Sequence, residues 1–243
     1  LGAELLAYIA LLQVVLTFGM ETGFFRFASK DKDRAGIIFS TAVISLAATS
    51  LSFLFIVLVF SDQLSQFTGH PAVYIIYAAI ILVIDCFTAV LFAELRFQNK
   101  AWKFAMFRSI KILSEVGFNL ALFFLLPKYF ISHPESVLLS FIPATPDYGY
   151  IMLAIMLSCI VSLLLFIPRL IRFSFVFSKK QLNELLIYSL PLMIAGLPGV
   201  ANDVISRIFF RFFAPSDTPW QDQLGIFNAN VKLAVFMVLF VQM

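Results

Sequence analysis

AGIIFSTAVISLAATSLSFLFIVLVFS, residues 35–61, is a run of 27 residues without a charge. A helix of about 20 mainly apolar residues crosses the hydrocarbon core of a bilayer, so this run is long enough to span a membrane. Similar apolar runs lie at about 3–25, 72–95, 102–126, 149–168, 184–212 and 224–243. The sequence therefore predicts seven transmembrane helices.

The composition agrees with this prediction. The chain of 243 residues is 61% hydrophobic and 13% charged, with a mean hydropathy of +0.97, whereas soluble domains are about half apolar and about a quarter charged. A membrane β-barrel needs segments of about ten residues with alternating hydrophobicity, and these runs are continuous and longer. We therefore expect an all-α polytopic membrane protein, and the composition excludes a soluble fold and a disordered chain.

Lysine and arginine are distributed unevenly over the predicted connections. The connections after the first, third and fifth helices contain eleven of these residues, and the alternate connections contain only Lys128. By the positive-inside rule the basic connections lie in the cytoplasm. The first predicted helix therefore runs inward from the outer side.

A weak internal repeat predicts the domain organisation. Segments 1–20 and 224–243 share five of 20 residues when they are aligned without gaps. The two segments are six predicted helices apart, and an even number of helices keeps the same direction across the membrane. This spacing indicates a parallel repeat of six-helix lobes; chance similarity between two apolar helices is the alternative.

The sequence begins without methionine and stops within an apolar run, so we expect it to be cut at both ends. Residues 1–172 then form a first lobe that lacks its first helix, and residues 173–243 begin a truncated second lobe.

Several charged residues fall within the predicted helices, where each costs roughly 2.5–3.5 kcal/mol at the helix centre. Lys111 and Glu115 are spaced i, i+4, which places both on one helix face. The others are Asp85, Arg211, the i, i+4 pair Asp203 and Arg207, and Lys232, which follows Asn228 and Asn230. Such residues mark substrate or ion pathways, or they form structural salt bridges and snorkel at helix ends.

One predicted helix has a continuous polar stripe. Arg108, Lys111, Glu115 and Asn119 recur at spacings of three and four residues, so one face of this helix is polar from its cytoplasmic end to beyond mid-depth. We expect this face to line a wet cavity. Because basic residues occur within helices of both predicted lobes, the pattern favours an electropositive cavity for an anionic cargo.

Two prolines and two glycines interrupt the predicted helix 184–212. They are Pro191, Gly196, Pro198 and Gly199. Proline removes a backbone hydrogen bond and clashes with the preceding turn, so we expect the helix to bend or unwind there. A hinge for alternating access and a static packing kink both fit this pattern.

The sequence contains no catalytic motif, phosphate-binding loop or dinucleotide fingerprint. Cys86, Cys159, His70 and His133 lack the spacing of metal ligands or of a disulfide framework, so we expect no metal and no cofactor. The longest outer loop, of about 22 residues, is poor in acidic and arginine residues. We therefore do not expect an enzyme.

Three segments resemble bacterial polysaccharide and O-antigen flippases of the multidrug/oligosaccharidyl-lipid/polysaccharide exporter superfamily. They are FGMETGFFRFASK (18–30), LFAELRFQNKAWKFAMFRSIKILSEVGFNLALFFL (91–125), and LLIYSLPLMIAGLPGVANDVISRIFFRFFAP (185–215) with LGIFNANVKLAVFMVLFVQM (224–243). The resemblance implies two lobes of six or more helices around a central cavity. It also implies translocation of an undecaprenyl-diphosphate-linked oligosaccharide, an O-antigen, capsule or exopolysaccharide repeat unit, across the bacterial inner membrane by alternating access.

An anionic diphosphate cargo agrees with the basic residues in the helices, since Arg and Lys are the usual phosphate partners. The candidates for substrate binding are Lys111, Arg207, Arg211, Lys232, Asn228 and Asn230. The candidates for ion coupling or charge pairing are Asp85, Glu115 and Asp203. Two alternatives are a cation-coupled multidrug exporter of the same superfamily and a membrane glycosyltransferase or polymerase of polysaccharide synthesis.

The resemblance also implies the partners. They are the lipid bilayer, the polyprenyl-diphosphate-linked glycan, and the polysaccharide polymerase and glycosyltransferases of the pathway. Nucleic acid is not expected.

Overall fold

A computed structural model describes residues 2–132, 147–171, 173–213, 226–227 and 230. The described residues form helices and no strand, which confirms an all-α polytopic membrane protein, and six helical spans among them are long and apolar enough to cross a membrane. The helices are α1 (Gly2–Thr17), α2 (Met20–Lys30), α3 (Ala35–Val59), α4 (Ser61–Thr68), α5 (Ala72–Phe97), α6 (Ala101–Ser132), α7 (Tyr148–Leu165), α8 (Ile167–Ile171) and α9 (Lys179–Phe213). Most of the predicted seventh span, 224–243, lies outside the described residues.

The first predicted span, 3–25, corresponds to a candidate membrane span at Glu4–Lys30, but this span consists of two helices and not of one. α1 ends at Thr17, α2 begins at Met20 and continues to Lys30, and between them Phe18 and Gly19 have positive φ angles of 49° and 63°. Glycine adopts this left-handed conformation without steric cost. A Cβ atom on Gly19 would also lie 3.0 Å from the backbone oxygen of Ser189 on α9. The break therefore occurs where α9 approaches the backbone closely.

Further boundaries differ from the prediction: α6 continues to Ser132, six residues past the predicted end at 126, and α7 ends at Leu165, before the predicted end at 168. The connection expected after residue 61 contains most of the short helix α4, which ends at Thr68 and is followed by Gly69 in the left-handed conformation. α9 begins at Lys179, five residues before the predicted start, because Ser178 caps it: the backbone N–H of Gln181 donates to the Ser178 hydroxyl at 3.4 Å. The pattern Ser-x-x-Gln is a helix-start signal that hydropathy alone does not show.

α5 lies at the centre of the bundle. It packs against α1, α2, α3, α6 and α7, and it is the most buried of the six spans. Towards its C-terminal end it packs within a cluster of aromatic rings that includes Phe24, Phe39, Phe92 and Phe166. Smaller side chains surround its middle, including the two buried cysteines, Cys86 and Cys159.

The contacts at the two ends of the bundle confirm that successive connections lie at opposite ends. At one end Arg96 pairs with Glu21, and Arg169 pairs with Glu94; this basic end is the one predicted to face the cytoplasm. At the other end the Tyr148 hydroxyl lies 3.2 Å from Nδ1 of His70. The basic connections therefore lie together, as the charge distribution predicts.

α9 is continuous through both of its prolines, Pro191 and Pro198. The unwinding expected there is thus not observed, and a hinge at Pro191, Gly196, Pro198 and Gly199 stays a prediction. The N-terminal half of α9 packs against α1, α2 and α3. The division into lobes 1–172 and 173–243 also stays a prediction, in which α9 is the first helix of the second lobe.

Candidate functional site

A polar cleft of about 120 Å³ enters the bundle between α1, α2, α5 and α6. It extends from the basic end, at Arg96 and Phe104, to Asp85 and Lys111 near the middle of α5 and α6. Five of its lining residues are ionisable, which is unusual within membrane-spanning helices. The lining consists of Gln13, Glu21, Asp85, Thr88, Ala89, Phe92, Arg96, Phe104, Arg108 and Lys111. We call it the polar cleft.

The inner end of the polar cleft is an ion pair between α5 and α6. Nζ of Lys111 lies 2.6 Å from Oδ1 of Asp85, and the two side chains are only 13% and 16% exposed. The Cys159 thiol on α7 also donates to Asp85 Oδ1, at 3.4 Å. Because both charges are withdrawn from solvent, each depends on the other for compensation. Asp85 therefore pairs with Lys111 in this structure, and its role in ion coupling or charge pairing stays a prediction.

Lys111 does not form the pair expected along its own helix. An i, i+4 contact with Glu115 is possible from spacing alone, but Lys111 binds Asp85 of the neighbouring helix, and Glu115 forms no ion pair with any described residue. Asn119 donates to the backbone oxygen of Glu115 at 3.0 Å. Packing of α6 against the central helix brings a better-placed carboxylate to Lys111, and this contact depends on tertiary structure.

Arg108 has a different environment. Its guanidinium carbon lies 5.0 Å from the ring centroid of Phe92, a cation–π contact. Within the described part of the chain, no carboxylate lies within ion-pair distance of Arg108. At the mouth of the cleft Arg96 pairs with Glu21. Three formal positive charges and two negative ones therefore line the cleft, and Arg108 supplies the excess.

The break between α1 and α2 lies beside this cleft. Gln13 of α1 and Glu21 of α2 line the cleft on either side of Phe18 and Gly19. Non-helical backbone at membrane depth is tolerated where it is buried in protein or lines a water-filled cavity. Transporters use such discontinuous helices at their substrate sites. The broken span therefore fits the polar cleft as a place for a polar ligand.

Small residues allow α9 to pack closely against α2 beside the polar cleft. A Cβ atom on Gly23 would lie 2.2 Å from Oγ of Ser189, so α2 and α9 are in direct contact at this point. Gly19 and Gly23 form a G-x-x-x-G pattern, which permits close helix approach in membranes. Next to it the Arg26 guanidinium lies 4.1 Å from the Tyr188 ring centroid. The pattern was present in the sequence, and it would have indicated the close contact but not the break.

A second cleft of about 660 Å³ lies in the other half of the bundle, between α1, α3, α4 and α5. Its lining is mainly apolar: Glu4, Leu5, Tyr8, Ile9, Leu11, Leu12, Phe53, Val57, Leu64, Phe67, Thr68, Ile75, Ala78, Ala79 and Leu82. Glu4 and Tyr8 are in contact with each other, with 3.4 Å between the hydroxyl and the carboxylate. We call it the apolar cleft.

The remaining predicted site residues are only partly placed. Asp203, Arg207 and Arg211 lie on the last turns of α9, where the side chains are outside the described part of the structure. Asn228 and Lys232 lie outside the described residues, and Asn230 is exposed. No cluster of three or more potential metal ligands occurs among the described residues.

Sequence reasoning missed two of the five ionisable residues of the polar cleft. Arg96 is one of the eleven basic residues of the predicted cytoplasmic connections, and Glu21 lies within the predicted first helix, where it is not among the candidates. Arg108 was noticed as part of the polar stripe. What the sequence lacked was a signal that the end of α5 and the start of α2 meet.

The fold and this cleft together define a class of protein. Several membrane-spanning helices surround a charged cleft, and the span beside the cleft is broken. This combination is typical of polytopic membrane transporters.

Comparison with known proteins identifies the family. The family model described as polysaccharide biosynthesis protein matches residues 3–243, and the chain therefore belongs to this family. The match confirms the resemblance to polysaccharide and O-antigen flippases that the sequence segments indicated. No curated protein and no solved structure matched the chain.

Proposed function

We propose that this protein is a flippase that moves a polyprenyl-diphosphate-linked oligosaccharide from the cytoplasmic to the outer leaflet of the bacterial inner membrane. Membership of the polysaccharide biosynthesis family supports a transporter of this pathway. The absence of catalytic motifs from the sequence is consistent with transport. The observation that carries the proposal is the polar cleft with its excess positive charge at Arg108.

The diphosphate is the part of this substrate that fits the polar cleft. Its oxygens accept hydrogen bonds from guanidinium and ammonium groups, and these charge-assisted bonds are stronger than neutral ones. Among the described residues no carboxylate competes for the Arg108 guanidinium, and Lys111 lies one helical turn deeper, at the Asp85 pair. The cleft is at the predicted cytoplasmic end, where the lipid-linked precursor is loaded. Arg207, Arg211 and Lys232 remain candidates for binding from the second lobe, together with Asn228 and Asn230.

The pairing of Asp85 weakens the proposal of a cation-coupled drug exporter. A carboxylate that binds a transported cation must be available to it, whereas Asp85 is already compensated by Lys111 at 2.6 Å. A net positive cleft also repels a cationic drug. The anionic substrate agrees with both observations.

Replacement of Arg108 in the full-length protein tests the proposed function. We expect R108A to weaken binding of a polyprenyl diphosphate by about tenfold or more, because a hydrogen bond to a charged group contributes about 1.5–3 kcal/mol. In cells the same variant is expected to lower surface polysaccharide and to accumulate lipid-linked precursor. R108K keeps the charge without the planar fork, so its effect should be smaller.

Lys103 provides the matched control. It lies on the same helix, is exposed, and does not line the polar cleft, so K103A should retain normal binding and normal surface polysaccharide. If R108A behaves like K103A in both measurements, the polar cleft is not the diphosphate site.

A further inference from the structure

The segment between α8 and α9 crosses the basic end of the bundle, and one side of it is fixed to α3. We call the described residues 173–178, together with Ile171 at the end of α8, the linker strap. The Ser40 hydroxyl donates to the backbone oxygen of Ser174 at 2.8 Å. The backbone N–H of Ser178 donates to the Thr41 hydroxyl at 3.2 Å. Both bonds reach the first turns of α3, so the strap has a defined position.

Aromatic and ionic contacts add to this attachment. The Phe173 ring packs edge-on against Phe39 of α3, with centroids 6.0 Å apart. Just before the strap, Nε of Arg169 lies 3.0 and 2.8 Å from the two carboxylate oxygens of Glu94 on α5. The Arg169 guanidinium also covers the Phe39 ring at 4.8 Å. The inner side of the strap is therefore bound to α3, and Arg169, just before the strap, is bound to α5.

The other side of the strap is apolar and exposed. Phe175 is 85% exposed, Ile171 79% and Phe177 51%. Bulky apolar side chains this close together on a surface mark an interaction site. Leu164 near the end of α7 and Ile167 of α8, which precede the strap in the chain, are also exposed. Since α7 is long and apolar enough to cross a membrane, exposed apolar side chains continue along the chain from a candidate membrane span to the strap.

Basic residues follow the strap directly. Lys179 and Lys180 begin α9, and both are exposed. Segments that lie in a membrane interface combine bulky apolar side chains, which enter the boundary between headgroups and acyl chains, with lysine or arginine beside them. The cytoplasmic leaflet carries anionic lipids that attract such lysines. Shape, apolarity and charge therefore fit one partner, the lipid surface at the basic end.

We propose that the linker strap is an interfacial membrane anchor. Phe175 and Phe177 lie in the headgroup–acyl boundary of the cytoplasmic leaflet, and Lys179 and Lys180 contact anionic headgroups. This role is separate from substrate binding in the polar cleft. It has a consequence for movement: the start of α9 is held both by α3 and by the membrane, so the predicted second lobe moves relative to a fixed point at Ser178.

Tryptophan fluorescence in lipid vesicles tests this anchor. The full-length protein, with its other tryptophans including Trp102 and Trp220 replaced by phenylalanine, is reconstituted in vesicles that contain anionic phosphatidylglycerol. F175W and F177W then report the exposed side of the strap, and F173W, which faces Phe39, is the matched control. Lipids brominated near the headgroup end or near the middle of the acyl chain serve as quenchers, and acrylamide reports access to water.

We expect F175W and F177W to have blue-shifted emission and to be quenched several-fold more strongly by the shallow bromines than F173W. Quenching by acrylamide with no quenching by bromolipid would show that the strap lies in water. Resistance to both quenchers would show that protein covers it. Either result overturns the anchor, and neither bears on the R108A experiment.

Discussion

The two clefts lie in opposite halves of one helix bundle, and they differ in almost every physical property. The polar cleft is small and is lined by five ionisable residues, whereas the apolar cleft is about five times larger by volume and lined mainly by aliphatic and aromatic side chains. α1 and α5 contribute to both. The comparison teaches that one helix can line a charged cleft along one half and an apolar cleft along the other, an arrangement that agrees with the amphiphilic substrate proposed above.

The largest expected effect comes from removing one member of the ion pair in the polar cleft. K111A leaves Asp85 without compensation while it is only 16% exposed, and the removal of one partner of a buried pair costs about 3–5 kcal/mol. The double variant D85N/K111M removes both charges and should recover most of this loss. Thermal unfolding in detergent measures the difference. Equal stability of the single and double variants would show that water compensates Asp85.

A new carboxylate placed in each cleft tests directly whether the two clefts differ in their tolerance of a charge. Ala79 and Ala89 both lie on α5, the first in the apolar cleft and the second in the polar cleft. A79E should lower stability by about 2–3 kcal/mol, because a charge within the hydrocarbon region is costly. A89E shares its cleft with Arg108 and should cost less than about 1 kcal/mol, while it abolishes binding of a polyprenyl diphosphate.

The same unfolding and binding assays check both alanine positions. If A79E is as well tolerated as A89E, the apolar cleft is filled with water, and the contrast between the clefts fails.

The smallest expected effect concerns the contact between α2 and α9 beside the polar cleft. G23A places a Cβ atom against the Ser189 hydroxyl, and overpacking costs about 1 kcal/mol here because that hydroxyl can rotate away. G23A/S189A should restore stability, since Ser189 Oγ is buried without a hydrogen-bond partner among the described residues. G36A is the control: a Cβ atom at Gly36 meets nothing within 4 Å. Destabilisation by G36A to the same extent as by G23A would point to a backbone effect.

The candidate site was predictable in part. Asp85 and Lys111 stood out because charges are rare within apolar helices, and Arg108 because it continued the stripe of Lys111. Their partners were not predictable. The i, i+4 rule offered Glu115 to Lys111, and only the packing of α6 on α5 showed that Asp85 lies closer. Spacing along one helix cannot show which faces of two helices meet.

The sequence by itself determined the class of the protein, the approximate positions of its described spans and the grouping of its basic connections. These properties follow from the transfer of side chains between water and lipid, and each segment carries its own hydropathy and charge. The tertiary structure alone decided the break at Phe18 and Gly19, the pairing of Lys111 with Asp85, and the presence of Glu21 and Arg96 in the charged cleft. These depend on contacts between residues far apart in the chain, which no local pattern contains.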